Sequence, residues 1–80
     1  MPNMRGRKVR LFLHDDSANT VDHVVDTLSG IVPGCNVFKA ESIAMITHNS
    51  GKCQIYHGHM KEAIYLYAQL VRNGLHVSVQ

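Results

Sequence analysis

The sequence is poor in the residues that mark small disulfide-rich or zinc-stabilised domains. Its 80 residues include two cysteines, two prolines and no tryptophan. Cys35 and Cys53 are too few for a disulfide framework and lack the C-x-x-C spacing of zinc and dithiol motifs. These absences predict buried, free thiols in a reducing compartment.

Long apolar runs and a strong excess of one charge are also missing. The apolar runs are too short to span a bilayer, and no hydrophobic segment typical of a signal peptide is visible. The formal net charge is +2, with basic residues near the start at Arg5, Arg7, Lys8 and Arg10. Scattered charges at a terminus are usually solvated, so we expect no membrane and no nucleic acid as a partner.

The sequence does contain enough apolar residues for one small domain. Hydrophobic residues make up 45% and charged residues 18%, an ordinary globular composition. A chain of this length has room for a single core. We predict a core domain at residues 8–80, preceded by a short flexible arm at residues 1–7.

Three segments alternate between apolar and polar residues, as strands with one buried face do. The first spans residues 9–13 and carries Val9, Leu11 and Leu13. The second spans residues 53–57 and is predicted to end at Gly58. The last spans residues 75–79.

Between these strands, apolar residues recur three and four positions apart, which predicts three helices. Asn19 or Thr20 would cap the first helix and Asn36 the second. The turn pairs that would end the helices are Pro33-Gly34, Ser50-Gly51 and Asn73-Gly74. The order β-α-α-β-α-β predicts an α+β sandwich, a three-stranded antiparallel sheet with three helices on one face.

Two adjacent acids, Asp15 and Asp16, follow the first strand and precede the first helix. Neighbouring carboxylates repel each other unless a cation neutralises them, and ligands often bind where a strand leads into a helix. The same side chains could instead satisfy free amides in a solvated turn. The residues alone leave both interpretations open.

The six histidines leave room for a metal site, although no C-x-x-C or H-E-x-x-H motif is present. The possible ligands are Asp15, Asp16, His48, His57 and His59, with Cys53 nearby. Asp16 and His48 have no nucleophile or oxyanion motif beside them, so we expect no enzyme and no cofactor. His48 could also serve only as a cap at the end of the second helix.

Several segments occur in a recognisable order after the acidic turn. They are "TVDHVVDTL" at 20–28, "IVPG" at 31–34, "THNSGK" at 47–52 and "RNGLHVSV" at 72–79. In this order the sequence resembles the ClpS family, adaptors that recognise N-degrons for the Clp protease, and within it the plastid and cyanobacterial branch most closely. The register runs without a gap from about Leu11 to Val79.

The resemblance implies a site for the α-ammonium group of a substrate. Family members hold this group with an Asn-Asp-Asp turn and a histidine on a following helix. In the gapless register Asp15 stands at the Asn, Asp16 at the first Asp, Ser17 at the second, and His48 at the histidine. Positions around the side-chain pocket are matched by Asn19, Val21, Val24, Ile43, Ala44, Thr47 and Leu75.

Two departures from the family pattern matter for binding. Asp15 replaces the Asn, and Val21 replaces a bulky gatekeeper that is often Met. A register shifted by one residue would pair His14 with the Asn, but it requires an insertion before Val24.

The resemblance therefore implies a non-enzymatic adaptor that binds bulky hydrophobic or aromatic N-terminal residues. It would deliver such substrates to the N-terminal domain of a Clp-type AAA+ unfoldase. The expected compartment is the plastid stroma or apicoplast lumen, or alternatively the bacterial cytoplasm. Two alternatives are a small metal-binding protein that uses the Asp and His ligands above, and a regulator that docks on an unfoldase without reading N-termini.

Overall fold

A computed structural model describes residues 6–80 of the chain. The elements are β1 (Lys8–His14), α1 (Val21–Ile31), α2 (Val37–Ser50), β2 (Lys52–His59), α3 (Met60–Arg72) and β3 (Val77–Val79). Their order and the antiparallel pairing of the strands confirm the predicted α+β fold. Of the arm predicted at residues 1–7, residues 1–5 lie outside the described part, and the domain boundary stays a prediction.

The three strands form one sheet in the order β2-β1-β3, so β1 is central. Val9, Leu11 and Leu13 are buried on one face of β1, whereas Lys8 and Arg10 are exposed on the other. On the inner face, α3 packs against all three strands and α2 packs against β2. The alternation in β1 therefore decides which side of the sheet the helices cover.

Leu11, Leu28 and Leu70 are the largest fully buried side chains. They come from β1, α1 and α3, so the core joins the sheet to two of the helices. Cys35 and Cys53 are both free, and burial raises the pKa of both thiols. None of the helices between residues 6 and 80 is long and apolar enough to cross a membrane.

The prediction that Gly58 ends the second strand is wrong, because β2 continues to His59. Gly58 lies beneath the ring of Tyr56, and a Cβ atom at this position would overlap that ring. Any larger residue at position 58 would therefore force the Tyr56 side chain to move, and such a close approach is one reason for a glycine within a strand.

A β-bulge in β2 explains why Tyr56 faces the core. Leu11 pairs with Tyr56 whereas the next residue, Phe12, pairs with Gln54, so Ile55 is the extra residue. The bulge turns both Ile55 and Tyr56 towards the core. The strict alternation expected from the sequence had placed Tyr56 on the opposite face from Ile55.

Candidate functional site

The turn after β1 is organised around the carboxylate of Asp16. Its Oδ1 accepts hydrogen bonds from the backbone N–H groups of Ala18 at 2.8 Å and Asn19 at 3.0 Å. The Asn19 amide donates to Oδ1 at 3.1 Å and to Oδ2 at 2.9 Å. These bonds, the Asn19 side chain above all, lower the pKa of Asp16 although partial burial opposes the shift. Asp16 is therefore ionised at neutral pH, and its Oδ2 keeps capacity for another donor.

The same turn is fastened to the loop that enters β3. The Asn19 amide also donates to the carbonyl oxygen of Gly74 at 2.9 Å. His23, in the first turn of α1, donates from Nε2 to the carbonyl oxygen of Asn73 at 2.7 Å. These contacts bring Leu75, which follows Gly74, next to the start of α1.

The C-terminus of α2 brings His48 to the acid pair. Gly51 caps α2 with φ 92°, and its N–H donates to the carbonyl oxygen of Thr47 at 2.8 Å. The carbonyl oxygen of Gly51 accepts the N–H of Asp15 at 2.9 Å. As a result Asp15 Oδ1 lies 3.8 Å from His48 Nδ1.

Asp15 and His48 are too far apart for a direct hydrogen bond, and both side chains face solvent. Two acceptors at this separation can contact one donor group placed between them. His14 contacts β3 instead, since its Nε2 is hydrogen-bonded to Ser78 Oγ at 2.6 Å and its ring lies 5.2 Å from that of His76.

These elements enclose one pocket of about 80 Å³ between the end of β1, the start of α1 and the end of α2. All the residues that the resemblance assigned to the site line this pocket except Ser17, which is exposed, and Ile43, which is buried in the core. The lining residues are Leu13, His14, Asp15, Asp16, Asn19, Val21, Val24, Ala44, Thr47, His48 and Leu75.

The model of the ClpS family, described as ATP-dependent Clp protease adaptor protein ClpS, matches residues 4–78. The chain belongs to the ClpS family. It is thus a member of a family of Clp protease adaptors. No curated protein matches the chain.

Two pocket residues of this ClpS chain were not assigned from the sequence, Leu13 and His14. Leu13 was placed in the core by its alternation with Val9 and Leu11, and it is buried there. Its position as the last inward residue of β1 was a signal that its side chain could also reach the pocket. His14 was considered only in the shifted register.

The five side chains proposed as metal ligands do not share one site in the part of this ClpS chain that the structure describes, because only Asp15, Asp16 and His48 line the pocket. Between residues 6 and 80, no three His, Cys, Asp or Glu side chains are arranged to hold a metal ion. His59 pairs with Lys8, whereas Asp15 follows the opposite end of β1. The length of β1 separates them by roughly 20 Å.

A second groove of about 550 Å³ continues from the pocket between α1 and α2. Val21, Ala44 and His48 line both cavities, and Val21 is 65% exposed. The two cavities therefore adjoin at these three residues.

Proposed function

We propose that the protein is an adaptor that binds the N-terminal residue of a substrate and delivers the substrate to the N-terminal domain of a Clp-type AAA+ unfoldase. The residues it selects are bulky, hydrophobic or aromatic. The observation that carries the proposal is one pocket with Asp15, Asp16 and His48 at its polar side and apolar walls beside them.

The polar side of the pocket suits an α-ammonium group. An ammonium has three N–H donors, and Asp15, Asp16 and a neutral His48 offer acceptors. A substrate α-amino group titrates near ~8 and is mostly charged at neutral pH. The proximity of Asp15 Oδ1 to His48 Nδ1 supports the gapless register, with Asp15 rather than His14 at the position of the family Asn.

The apolar walls suit the first side chain of the substrate. Leu13, Val24, Ala44 and Leu75 supply these walls. Burying a Leu or Phe side chain against such walls contributes roughly 1.5–3 kcal/mol. The following residues of the substrate would leave along the groove between α1 and α2, past the exposed Val21. The small Val21 gives the pocket a wide mouth and, we propose, a broad selectivity.

Peptides that differ only in their first residue test this function. The peptides that begin with Phe or Leu should each bind about 1.5–3 kcal/mol more tightly than the one that begins with Ala, because only a large first side chain fills the pocket. Ala44→Leu should fill the pocket and weaken Phe binding, whereas Ala68→Leu, on the exposed side of α3, should not. Equal affinity for the three peptides would contradict the proposal.

The two alternatives make different predictions. A regulator that only docks on the unfoldase would bind its N-terminal domain without discriminating between first residues. A metal-binding protein would need the ligands that the sheet separates by its length. For the compartment, the resemblance supports the plastid stroma or apicoplast lumen, or else the bacterial cytoplasm.

A further inference from the structure

The face of the sheet that the helices leave open is densely cationic. We call it the outer face and define it by Lys8, Arg10, Lys52, His57 and His59, all of which are exposed. The register places Lys8 directly opposite His59 and Arg10 directly opposite His57. Three permanent cations and two histidines therefore share one surface.

The chain supplies no acid to this surface. All six of its acidic residues lie in the turn after β1 or on the helices, and none lies on a strand. Within residues 6–80 no ion pair joins a cation of the outer face to a carboxylate. Lys8 and Arg10 are permanent cations two residues apart on the same face of β1 and repel each other, so the stability of the fold does not account for this cluster.

The centre of the outer face shows which anion fits. Phe12 belongs to the central strand β1, with β2 on one side and β3 on the other. The ammonium of Lys52 lies 5.2 Å from the centre of the Phe12 ring. The cation covers this aromatic ring, which a single-stranded nucleic acid would need for base stacking. The sequence pI of about 8.7 is also below the range typical of nucleic-acid-binding domains.

We propose that the outer face binds an acidic segment of a partner protein in extended conformation. Lys8 and Arg10 are two residues apart on the same face of β1, so their side chains emerge about 7 Å apart. Carboxylates at alternate positions of an extended peptide have the same spacing and can pair with both cations. Lys52 adds a third cation at the other end of the sheet, beside His14. This binding is independent of the pocket.

The probe is an N-acetylated peptide of alternating Glu and Ser residues, whose acetyl group keeps it from acting as an N-terminal ligand. It should bind at about 0.01 M salt and lose most of its affinity at about 0.15 M, as a surface charge interaction does. Arg10→Glu and Lys52→Glu should each weaken binding about 5- to 10-fold, because repulsion replaces attraction. Lys61→Glu, the same change on exposed α3, is the matched control and should stay within about twofold of the parent.

Arg10→Gln removes the charge with less disturbance of the strand and should give a smaller loss in the same direction. The proposal is overturned if Lys61→Glu weakens binding as much as Arg10→Glu, or if the peptide does not bind at low salt. A short oligothymidylate that binds more tightly than the acidic peptide would also overturn it, in favour of a nucleic acid.

Discussion

At the scale of single residues, Asp16 connects the charge of the site to the stability of the turn. The resemblance assigned Asp16 to ligand binding, whereas the residues alone left a cation site and a solvated turn both open. The structure shows that Asp16 holds the turn and also lines the pocket. The two interpretations do not compete, because three bonds converge on Oδ1 whereas Oδ2 accepts only one.

Removing the Asn19 side chain should shift the titration of Asp16. In Asn19→Ala the pKa of Asp16 should rise towards its ordinary value of 3.8, because the main cause of its lowering is lost. Carboxylate chemical shifts followed by NMR as a function of pH measure this directly. Asn49→Ala, at an exposed position near the end of α2, is the control.

The same shift links folding to pH. A lowered pKa in the folded state means that the unfolded state binds more protons, so the stabilisation is present above pH 3.8 and is lost as the pH falls through the folded-state pKa. The unfolding free energy of the parent should therefore fall more steeply below about pH 4 than that of Asn19→Ala. Parallel profiles would show that Asn19 does not act through Asp16.

His48 offers a test of binding that does not disturb folding. Its side chain is 79% exposed, so His48→Ala should leave the unfolding free energy within about 0.5 kcal/mol of the parent. Binding of a Phe-initiated peptide should weaken about tenfold, because one acceptor for the ammonium is lost. His57→Ala, exposed on the outer face, should bind as the parent does.

At the scale of elements, the helix caps could be predicted from the sequence, whereas the register between β1 and β2 could not. Thr20 and Asn36 cap α1 and α2 as expected, and Gly51 ends α2, since caps depend on residues within one turn. The bulge at Ile55 depends on how β2 pairs with β1, and no residue type in β2 indicates it.

Helix phase was predicted only in part. Val71 follows Tyr67 by four residues, as a residue of the inward face of α3 would, yet it is exposed, whereas Leu66 is buried. Ile43 on α2 was expected beside the pocket but is buried in the core, because the pocket and the core lie on adjoining sides of this helix. Which apolar residue faces which cavity depends on how the helices pack, and spacing alone does not give this.

Gly51 should be needed for both folding and binding. Gly51→Ala should cost about 1 kcal/mol, because a residue with a Cβ resists φ 92° although no atom lies within 4 Å of that Cβ. The substitution should also weaken peptide binding, since a change of φ at this strained cap would displace the carbonyl of residue 51 that holds Asp15 beside His48. Urea unfolding and peptide titration measure the two effects.

Gly30→Ala provides the matched control for Gly51. Gly30 lies inside α1 without a positive φ, and no atom lies within 4 Å of the added Cβ. Alanine should therefore stabilise this helix by roughly 0.5–1 kcal/mol. If both variants changed stability in the same direction, the left-handed cap would not be what makes Gly51 necessary.

At the scale of the whole molecule, one core holds all the pocket walls in place. Leu28 on α1 is fully buried with Leu11 and Leu70, and α1 also supplies Val21 and Val24 to the pocket. A domain of this size buries a small core and is only marginally stable. Substitutions that destabilise the core should therefore also disturb the walls of the pocket.

Leu28→Ala should lower the unfolding free energy by ~2–5 kcal/mol because it leaves a cavity in that core. Ile64→Ala removes a similar side chain that is 53% exposed on α3 and should cost only about 0.5 kcal/mol. Denaturant unfolding compares the two. Similar losses for both variants would contradict the assignment of Leu28 to the core.

The central claim is that the molecule recognises a free N-terminus, and one pair of titrations tests it most directly. A Phe-initiated peptide is compared with the same peptide acetylated on its α-amino group, which keeps the side chain but removes the charge and two of the three N–H donors. We predict that acetylation weakens binding about 100-fold, as the loss of charge-assisted hydrogen bonds worth about 3 kcal/mol implies. Equal affinity for the two peptides would contradict the claim, because Asp15, Asp16 and His48 would then not bind an ammonium group.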